Sequence, residues 1–423
     1  MRTITTGDMM HVHGGFAAGV DYTVRLTVRL SEPVDEDLLS RALTLAQKRY
    51  PYLCVRIKRG VNAFFYEDNP LPVALLHTDD PVRLNSEAVN FHLWAVCWNE
   101  DRVHLDTYHG LTDGTGMYEV LSTLLWYYGR ERWGLADRRG IRTLEDPVDP
   151  EELRDPQDTL EPPKADRPED KAAAPMPEAF TLETDGGLTL SEPTIWDVEV
   201  PEAAFVRFSS AHDASPGTMV SVLMARAAAS LYPDRKKEIR SVYVINARPM
   251  LGAGKTCHNC LGMAIFPYTE KLARMPLTMQ CTCYRGMTFL QSDGDAVRKA
   301  VGANASAIRA AVLAAGTLEE KKKVFGPAFT GGDGHVTFLV SYTGKWRHPE
   351  MGEHMKEFWT HAPNTFSLSV QVAAAGGKIF LSIQQRFKEN TVREAFLRQL
   401  EDSGIPYTVR RKMGSDIARC PEP

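Results

Sequence analysis

The chain has 423 residues, 43% of them hydrophobic and 24% charged, and carries a formal net charge of -5. At roughly 150 residues per domain, that length predicts two or three domains, with core enough to fold without disulfide or metal staples. The composition excludes a collagenous, disordered or small secreted scaffold, and the mild acidity lacks the bulk electrostatic footprint of a nucleic-acid binder.

The amino-terminal MRTITTGDMMHVHGGF has no apolar signal core, and no apolar stretch is long enough for a membrane span, so neither is expected. The seven cysteines are not spread like a disulfide framework. Free thiols in a reducing cytosol, and hence a cytoplasmic protein, are the expectation. His11 and His13 form an HxH pair expected to lie on a solvated end. Tyr22, Val24, Leu26, Val28 and Leu30 alternate with polar residues and predict a half-buried strand. A helix follows over 35–49, with Leu38, Leu39, Ala42, Leu43 and Ala46 on one face and Pro51 closing it. Short strands are predicted at 53–59 and 61–67, joined across Arg59-Gly60, and at 92–98 and 102–108, joined across Asn99-Glu100-Asp101. The last of these runs into His109-Gly110-Leu111-Thr112-Asp113-Gly114, and a helix over 116–132 follows.

From about residue 146 to 177 the sequence turns dense in proline and charge and poor in large apolar residues. Such a stretch cannot offset its ordering entropy by apolar burial and reads as a linker or surface crossover. The chain is thereby divided into a lobe of residues 1–146, a crossover at 147–177 and a lobe of residues 178–423. In the second lobe, strands are predicted at 195–200, 239–246, 336–341, 366–372 and 379–384, and helices at 202–212, 218–232, 277–291, 295–315 and 390–403. Gly376-Gly377 reads as the turn of a hairpin. There is no strict βαβ alternation and no dinucleotide-type Gly-rich turn, so the fold class is mixed α/β or α+β, in two similar lobes.

His109 stands at a strand end on a loop that feeds a helix, held by rigid elements on both sides. A neutral imidazole there can take a proton from a hydroxyl, amine or thiol. Asp113 can bond loop backbone or an arginine, and Gly114 would allow close backbone approach or a positive φ angle. Spacing alone equally fits a turn histidine bonded to backbone.

Tyr108 to Gly114 resembles the HHxxxDG signature of the CoA-dependent acyltransferase superfamily, which includes chloramphenicol acetyltransferase, condensation domains and alcohol acetyltransferases. The likeness extends in order along the chain. Val34 to Ile57 is similar to the family's first helix and its "HPxLR" turn, written here Tyr50-Pro51-Tyr52-Leu53. Ser215-Pro216-Gly217-Thr218 opens a helix like the family's post-linker helix. Asn246-Ala247-Arg248-Pro249 resembles "NxRP", Asn259-Cys260-Leu261-Gly262 the "GNxxG" loop without its leading glycine, and Ser341-Tyr342-Thr343-Gly344 the "SNxG" segment. The first motif histidine is Tyr108 here, and no DFGWG motif is present; the region around Pro363-Asn364-Thr365-Phe366 offers no likeness.

The resemblance implies two chloramphenicol acetyltransferase-like lobes in a V-shaped pseudo-dimer around a substrate tunnel. It implies transfer of an acyl group from acyl-CoA, as co-substrate rather than bound cofactor, to an alcohol or amine. His109 would be the general base, Asp113 and Arg248 a structural pair, Gly114 the motif glycine, and Ser341 and Tyr342 tunnel or oxyanion contributors. Two other readings stay open: a stand-alone condensation-like enzyme taking its acyl group from a carrier protein, and a non-catalytic binding protein on the same fold.

Other constellations are read more plainly. Cys257-His258-Asn259-Cys260 with Cys281 and Cys283 offers ligands for zinc, but the last two fall in a predicted helix where positions i and i+2 point apart, and no metal is expected. Lys321-Lys322-Lys323 reads as a solvated helix face, although such a cluster can also receive CoA's phosphates, and Arg410-Arg411-Lys412 is equally ambiguous. Gly331-Gly332-Asp333-Gly334 suggests a mobile loop.

Overall fold

Alternation in the first lobe builds a sheet whose polar positions are buried as well. The computed structural model describes residues 2–17, 19, 22–161, 176–327, 334–362 and 366–413. β1 (Thr23–Leu30) pairs antiparallel with β6 (Arg102–Tyr108), and the register sets Arg25 opposite Asp106 and Thr27 opposite His104. The Arg25 guanidinium bonds both Asp106 oxygens, at 2.6 and 2.7 Å, with both side chains buried. The strand is therefore covered on both faces rather than half-buried, because its polar residues find charged partners across the ladder.

β2 (Val55–Arg59) and β3 (Phe64–Asp68) form a separate hairpin. β4 (Leu75–His77) and β5 (Trp94–Asn99) continue the first sheet beyond β6. The helices Glu36–Arg49 and Gly114–Trp133 pack on each other and on this sheet. The first begins at Asp35, whose side chain accepts from Leu38 N, and presents Leu39, Ala42, Leu43 and Ala46 to the core, a face the apolar spacing predicts.

The second sheet has seven strands: β7 (Leu190–Pro201), β8 (Ile239–Asn246), β9 (Leu261–Tyr268), β10 (Phe338–Lys345), β12 (Leu368–Ala375), β13 (Lys378–Phe387) and β14 (Thr408–Met413). Their order is β14-β7-β13-β12-β10-β8-β9, and β10 runs parallel to both neighbours. Gly376 and Gly377, at φ 55° and 75°, make the turn between β12 and β13, a left-handed pair that glycine adopts at least cost. The helices Pro216–Leu231, Leu277–Gln291 and Thr391–Asp402 cover this sheet.

One strand does not follow the chain division. β11 (Met355–His361) comes from the second half yet closes the first sheet, in the order β11-β1-β6-β5-β4. Met351, Met355, Phe358 and Trp359 accordingly belong to the first hydrophobic core, which is distinct from the core of the second sheet.

Over its described part the crossover is a surface segment, mostly exposed and pinned at a few buried positions. Glu152, Asp155 and Gln157 are buried. Glu152 takes both Arg49 nitrogens at 2.7 and 2.9 Å, Asp155 accepts from Gly7 N at 2.7 Å, and Asp158 accepts from Thr6 N at 2.7 Å. Charged hydrogen bonds, not apolar burial, order this segment, and a count of apolar residues misses that source of order. Residues 162–175, 331–333 of the Gly-rich loop and 363–365 of the region set against DFGWG lie outside the described residues. No described helix is long and apolar enough to cross a membrane.

Candidate active site

β6 ends at Tyr108, and the next residue is held before the chain turns: His109 N donates to Tyr22 O at 2.8 Å. The loop is then tied from several directions. Tyr66 donates its hydroxyl to Gly110 O, Tyr108 donates to His11 O, and Thr112 donates to Cys257 O. Asp113 N-caps the following helix, with Oδ1 accepting from Thr115 N and Gly116 N at 3.1 Å. That cap fixes where the helix begins and so fixes how far the loop extends.

The same carboxylate meets the second lobe. Arg248, at the end of β8, donates through both terminal nitrogens to Asp113 at 2.8 Å, and Cys260 N adds a bond at 2.9 Å. Both side chains are essentially inaccessible, at 2% and 0% exposure. The other donors of Arg248 are taken by Thr256 O, Asn246 Oδ1 and His258 O. Burial alone would raise the Asp113 carboxyl, but the guanidinium and the backbone donors outweigh it and hold the carboxyl below its usual range.

His109 itself is half-buried. Its ring packs beside two near-parallel rings, His11 at 4.9 Å and Tyr22 at 4.8 Å between centroids, which are 5.4 Å from each other. Nδ1 is 3.0 Å from Asn259 Oδ1, the ring also bonds its own backbone, and among the described residues no other side chain bonds Nε2. Burial lowers the imidazole below its ordinary value, and the ring is neutral at pH 7. A neutral, held histidine is equipped to accept a proton.

Of the two uses open to Gly114, the positive φ is not taken, and a Cβ there would meet nothing within 4 Å. It is the first residue of the helix, so the cap has no need of a left-handed backbone. Gly116 is the tight position: a Cβ there would collide with the Thr112 hydroxyl and come within 3.0 Å of Cys257 O. Ser341 and Tyr342 lie on β10, both half-buried, Tyr342 packing against the second core; neither bonds His109.

Two further expectations are corrected. His11 and His13 are not on a solvated end: Thr6–Met10 forms a helix, a π-helical turn runs His11–Phe16, and His13 is 3% exposed. Burial is the largest cause of the fall of the His13 imidazole to about 4, with Lys321 nearby as the second. Lys321 is itself buried, donating to Asn62 O at 2.6 Å, while Lys322 and Lys323 remain outward. Arg410 bonds Glu199 at 2.9 Å on the sheet edge.

Cys257 and Cys260 enter separate clusters, and the Cys257 thiol faces Tyr52 and Arg142. Among the described residues no group of three or more His, Cys, Asp or Glu side chains gathers as a metal site. Asn259 and Asp8 were the functional neighbours that pattern reading missed. Asn259 stands in the loop read as "GNxxG", but nothing in a sequence places Asp8 beside it.

No family model and no curated protein matches the sequence. Among solved structures, the chain is similar to polyketide synthase associated protein 5 from Mycobacterium tuberculosis, at 14% identity and TM-score 0.60 over 94% of this chain and 96% of that one. It is similar to TRI101 of F. graminearum, solved with coenzyme A and T-2 mycotoxin, at 12% identity and TM-score 0.60 over 95% and 97%. It is also similar to the condensation domain of the Monacolin K polyketide synthase MokA, at 11% identity and TM-score 0.60 over 95% and 96%. The chain thus has a mixed α/β fold of two lobes, the chloramphenicol acetyltransferase-like fold that these structures share.

Proposed function

We propose that the protein is an acyltransferase that moves an acyl group from acyl-CoA to an alcohol or amine, with His109 as general base. The observation that carries this reading is the state of His109: neutral at pH 7, held at Nδ1, with Nε2 bonded by no side chain among the described residues. Support for the donor comes from the shared fold, since TRI101 was solved with coenzyme A.

In the reaction, Nε2 takes the proton of the acceptor O–H or N–H as the oxygen or nitrogen attacks the thioester carbonyl. The tetrahedral intermediate collapses with cleavage of the C–S bond, and the imidazolium returns the proton to the CoA thiolate. Acyl-CoA is a co-substrate here. Asp113 and Arg248 hold the loop and move no proton, and Ser341 and Tyr342 are candidate donors to the oxyanion, tested by Ser341→Ala and Tyr342→Phe. The described cysteines are all thiols, which suits a cytoplasmic setting.

The test is release of CoA thiol from acetyl-CoA against a panel of alcohols and amines, with His109→Ala as control. Turnover lost in the variant supports the reading; a variant rate near wild type overturns it. Turnover with an acyl-carrier-protein thioester, and none with acyl-CoA, would replace the donor and align the chain with the condensation domain it resembles. Binding without turnover on either donor would leave a non-catalytic protein.

A further inference from the structure

The Asn259 amide sits at the centre of a hydrogen-bond set that determines its own orientation. One of its polar atoms faces Asp8 Oδ1 at 2.9 Å and the His109 carbonyl at 2.7 Å. Both of those are acceptors only, so that atom must be the amide nitrogen. The amide oxygen is thereby aimed at His109 Nδ1, 3.0 Å away. An amide oxygen donates nothing, so Nδ1 must carry the hydrogen, and in the neutral imidazole the lone pair is left on Nε2. The stacked rings of His11 and Tyr22 fix the plane of His109 but do not choose between its nitrogens. Asn259 is the side chain that makes that choice, beside a bond of the ring to its own backbone.

Asp8 keeps Asn259 from turning over. It is fully buried, and its second oxygen accepts from Thr5 Oγ1 at 3.1 Å and faces His258 Nδ1 at 3.2 Å. His258 Nε2 faces Leu153 O at 3.0 Å, so both its ring nitrogens meet acceptors and both must donate. His258 is then an imidazolium, and Asp8 is its counter-ion. If the amide flipped, its oxygen would face a carboxylate and a carbonyl, and its nitrogen would face a ring N–H.

We propose that Asn259, locked by Asp8 of the amino-terminal helix, is a positioning residue that sets His109 in the Nδ1–H tautomer and presents Nε2 as the base. This rests on the acyltransferase reading for its kinetic consequence, but the tautomer itself does not. The titratable groups facing His109 are His11, Tyr22, Asp113 and Asp8.

The experiment uses the full chain labelled with 15N-histidine, as wild type, Asn259→Ala and Asp8→Asn, with His109→Gln to assign the resonance. Wild type at pH 8 is expected to show a protonated Nδ1 and an unprotonated Nε2 at His109, and Asn259→Ala a mixture of tautomers. In Asn259→Ala, kcat is expected to fall about 10- to 100-fold with KM within about twofold, as befits one lost orienting bond. The acid limb of its pH profile should move down, because an acceptor that favours the imidazolium is gone. Asp8→Asn, which can still accept from Asn259, should lose less. A wild-type His109 protonated at Nε2 overturns the proposal, and so does an Asn259→Ala variant with unchanged tautomer. Should Asn259→Ala fail to fold, the wild-type and Asp8→Asn spectra still decide. If the tautomer is as expected and no acyl transfer is found on any donor, the functional reading fails and the positioning stands.

Discussion

Arg248 lets the structure be tested without knowing the substrate. Replacing it by Ala leaves the Asp113 carboxylate buried with only three backbone donors, from Thr115, Gly116 and Cys260. Breaking a buried pair from one side typically costs about 3–5 kcal/mol, because the remaining charge has lost its partner. Unfolding entropy of about 2.1 cal/mol/K per residue over 423 residues gives about 0.9 kcal/mol/K for the whole chain, so the expected fall in Tm is about 3–6 °C. Asp113→Asn keeps an N-cap but strands the guanidinium, and it should cost a similar amount. The double variant Asp113→Asn/Arg248→Ala removes both charges and should recover part of the loss. Thermal melts of the four proteins at constant pH close the cycle. Strictly additive losses, or an Arg248→Ala melt within about 1 °C of wild type, would refute the claim that this pair ties the lobes.

His109→Ala removes a half-buried ring with one side-chain bond, so it should abolish thiol release while leaving Tm within about 2 °C, checked by melting and CoA release on one sample. The lowered imidazole of His109 predicts that the acid limb of kcat/KM, where the ring protonates, lies below the ordinary histidine value. Burial opposes the charge on His258, but its bond and proximity to Asp8 prevail and raise its pKa from 6.5 to about 9. The folded value lies above the unfolded one, so this stabilisation is complete below pH 6.5 and is lost as pH rises through about 9. Urea melts between those limits should show a loss of up to about 3 kcal/mol in wild type that His258→Gln abolishes. Gly116→Ala should lower stability by about 1–3 kcal/mol, since its Cβ meets the Thr112 side chain and the Cys257 carbonyl, whereas Gly114→Ala, with open space around it, should not.

Much of the fold was legible because its elements are amphipathic with the right period. The strand over 102–108, the strand over 239–246 and the helix over 277–291 are where alternation and helical spacing place them. β11 was not legible. Its sequence, MKEFWTH, mixes charge with aromatics and does not alternate, since Phe358 to His361 are all buried while Lys356 is exposed. That it joins the other lobe's sheet is a long-range pairing no local pattern records. β9 was missed for a similar reason: at the sheet edge it carries Gly262 and an exposed Met263. In the site, the residues that sit in one short motif were legible, and those that reach it through space were not. Asp113 and Arg248 are 135 positions apart yet meet at 2.8 Å, and that pairing was anticipated through a family pattern rather than through chemistry. Asp8 had no pattern to announce it, and His11 and Tyr22 were marked only as part of an HxH pair and of a strand.

The crossover shows what composition conceals there. Asp155 and Asp158 bond the backbone at Gly7 and Thr6, and the Gln157 side chain donates to Asn259 O at 2.7 Å. The acidic residues that make 147–177 look like a solvated linker are the ones that fasten the amino-terminal helix. That helix delivers Asp8 to Asn259 and leads into His11 beside His109. Cys257 O accepts from Thr112, Arg248 and Cys260 N donate to Asp113, and Asn259 holds the ring, so four residues of the loop between β8 and β9 touch the motif. Buried polar contacts of this kind are costly when half made and rigid when complete. His109 therefore reaches its working geometry only when the amino terminus, the crossover and the second lobe have all docked. A change at any of them should cost rate through the orientation of His109 before it costs the fold.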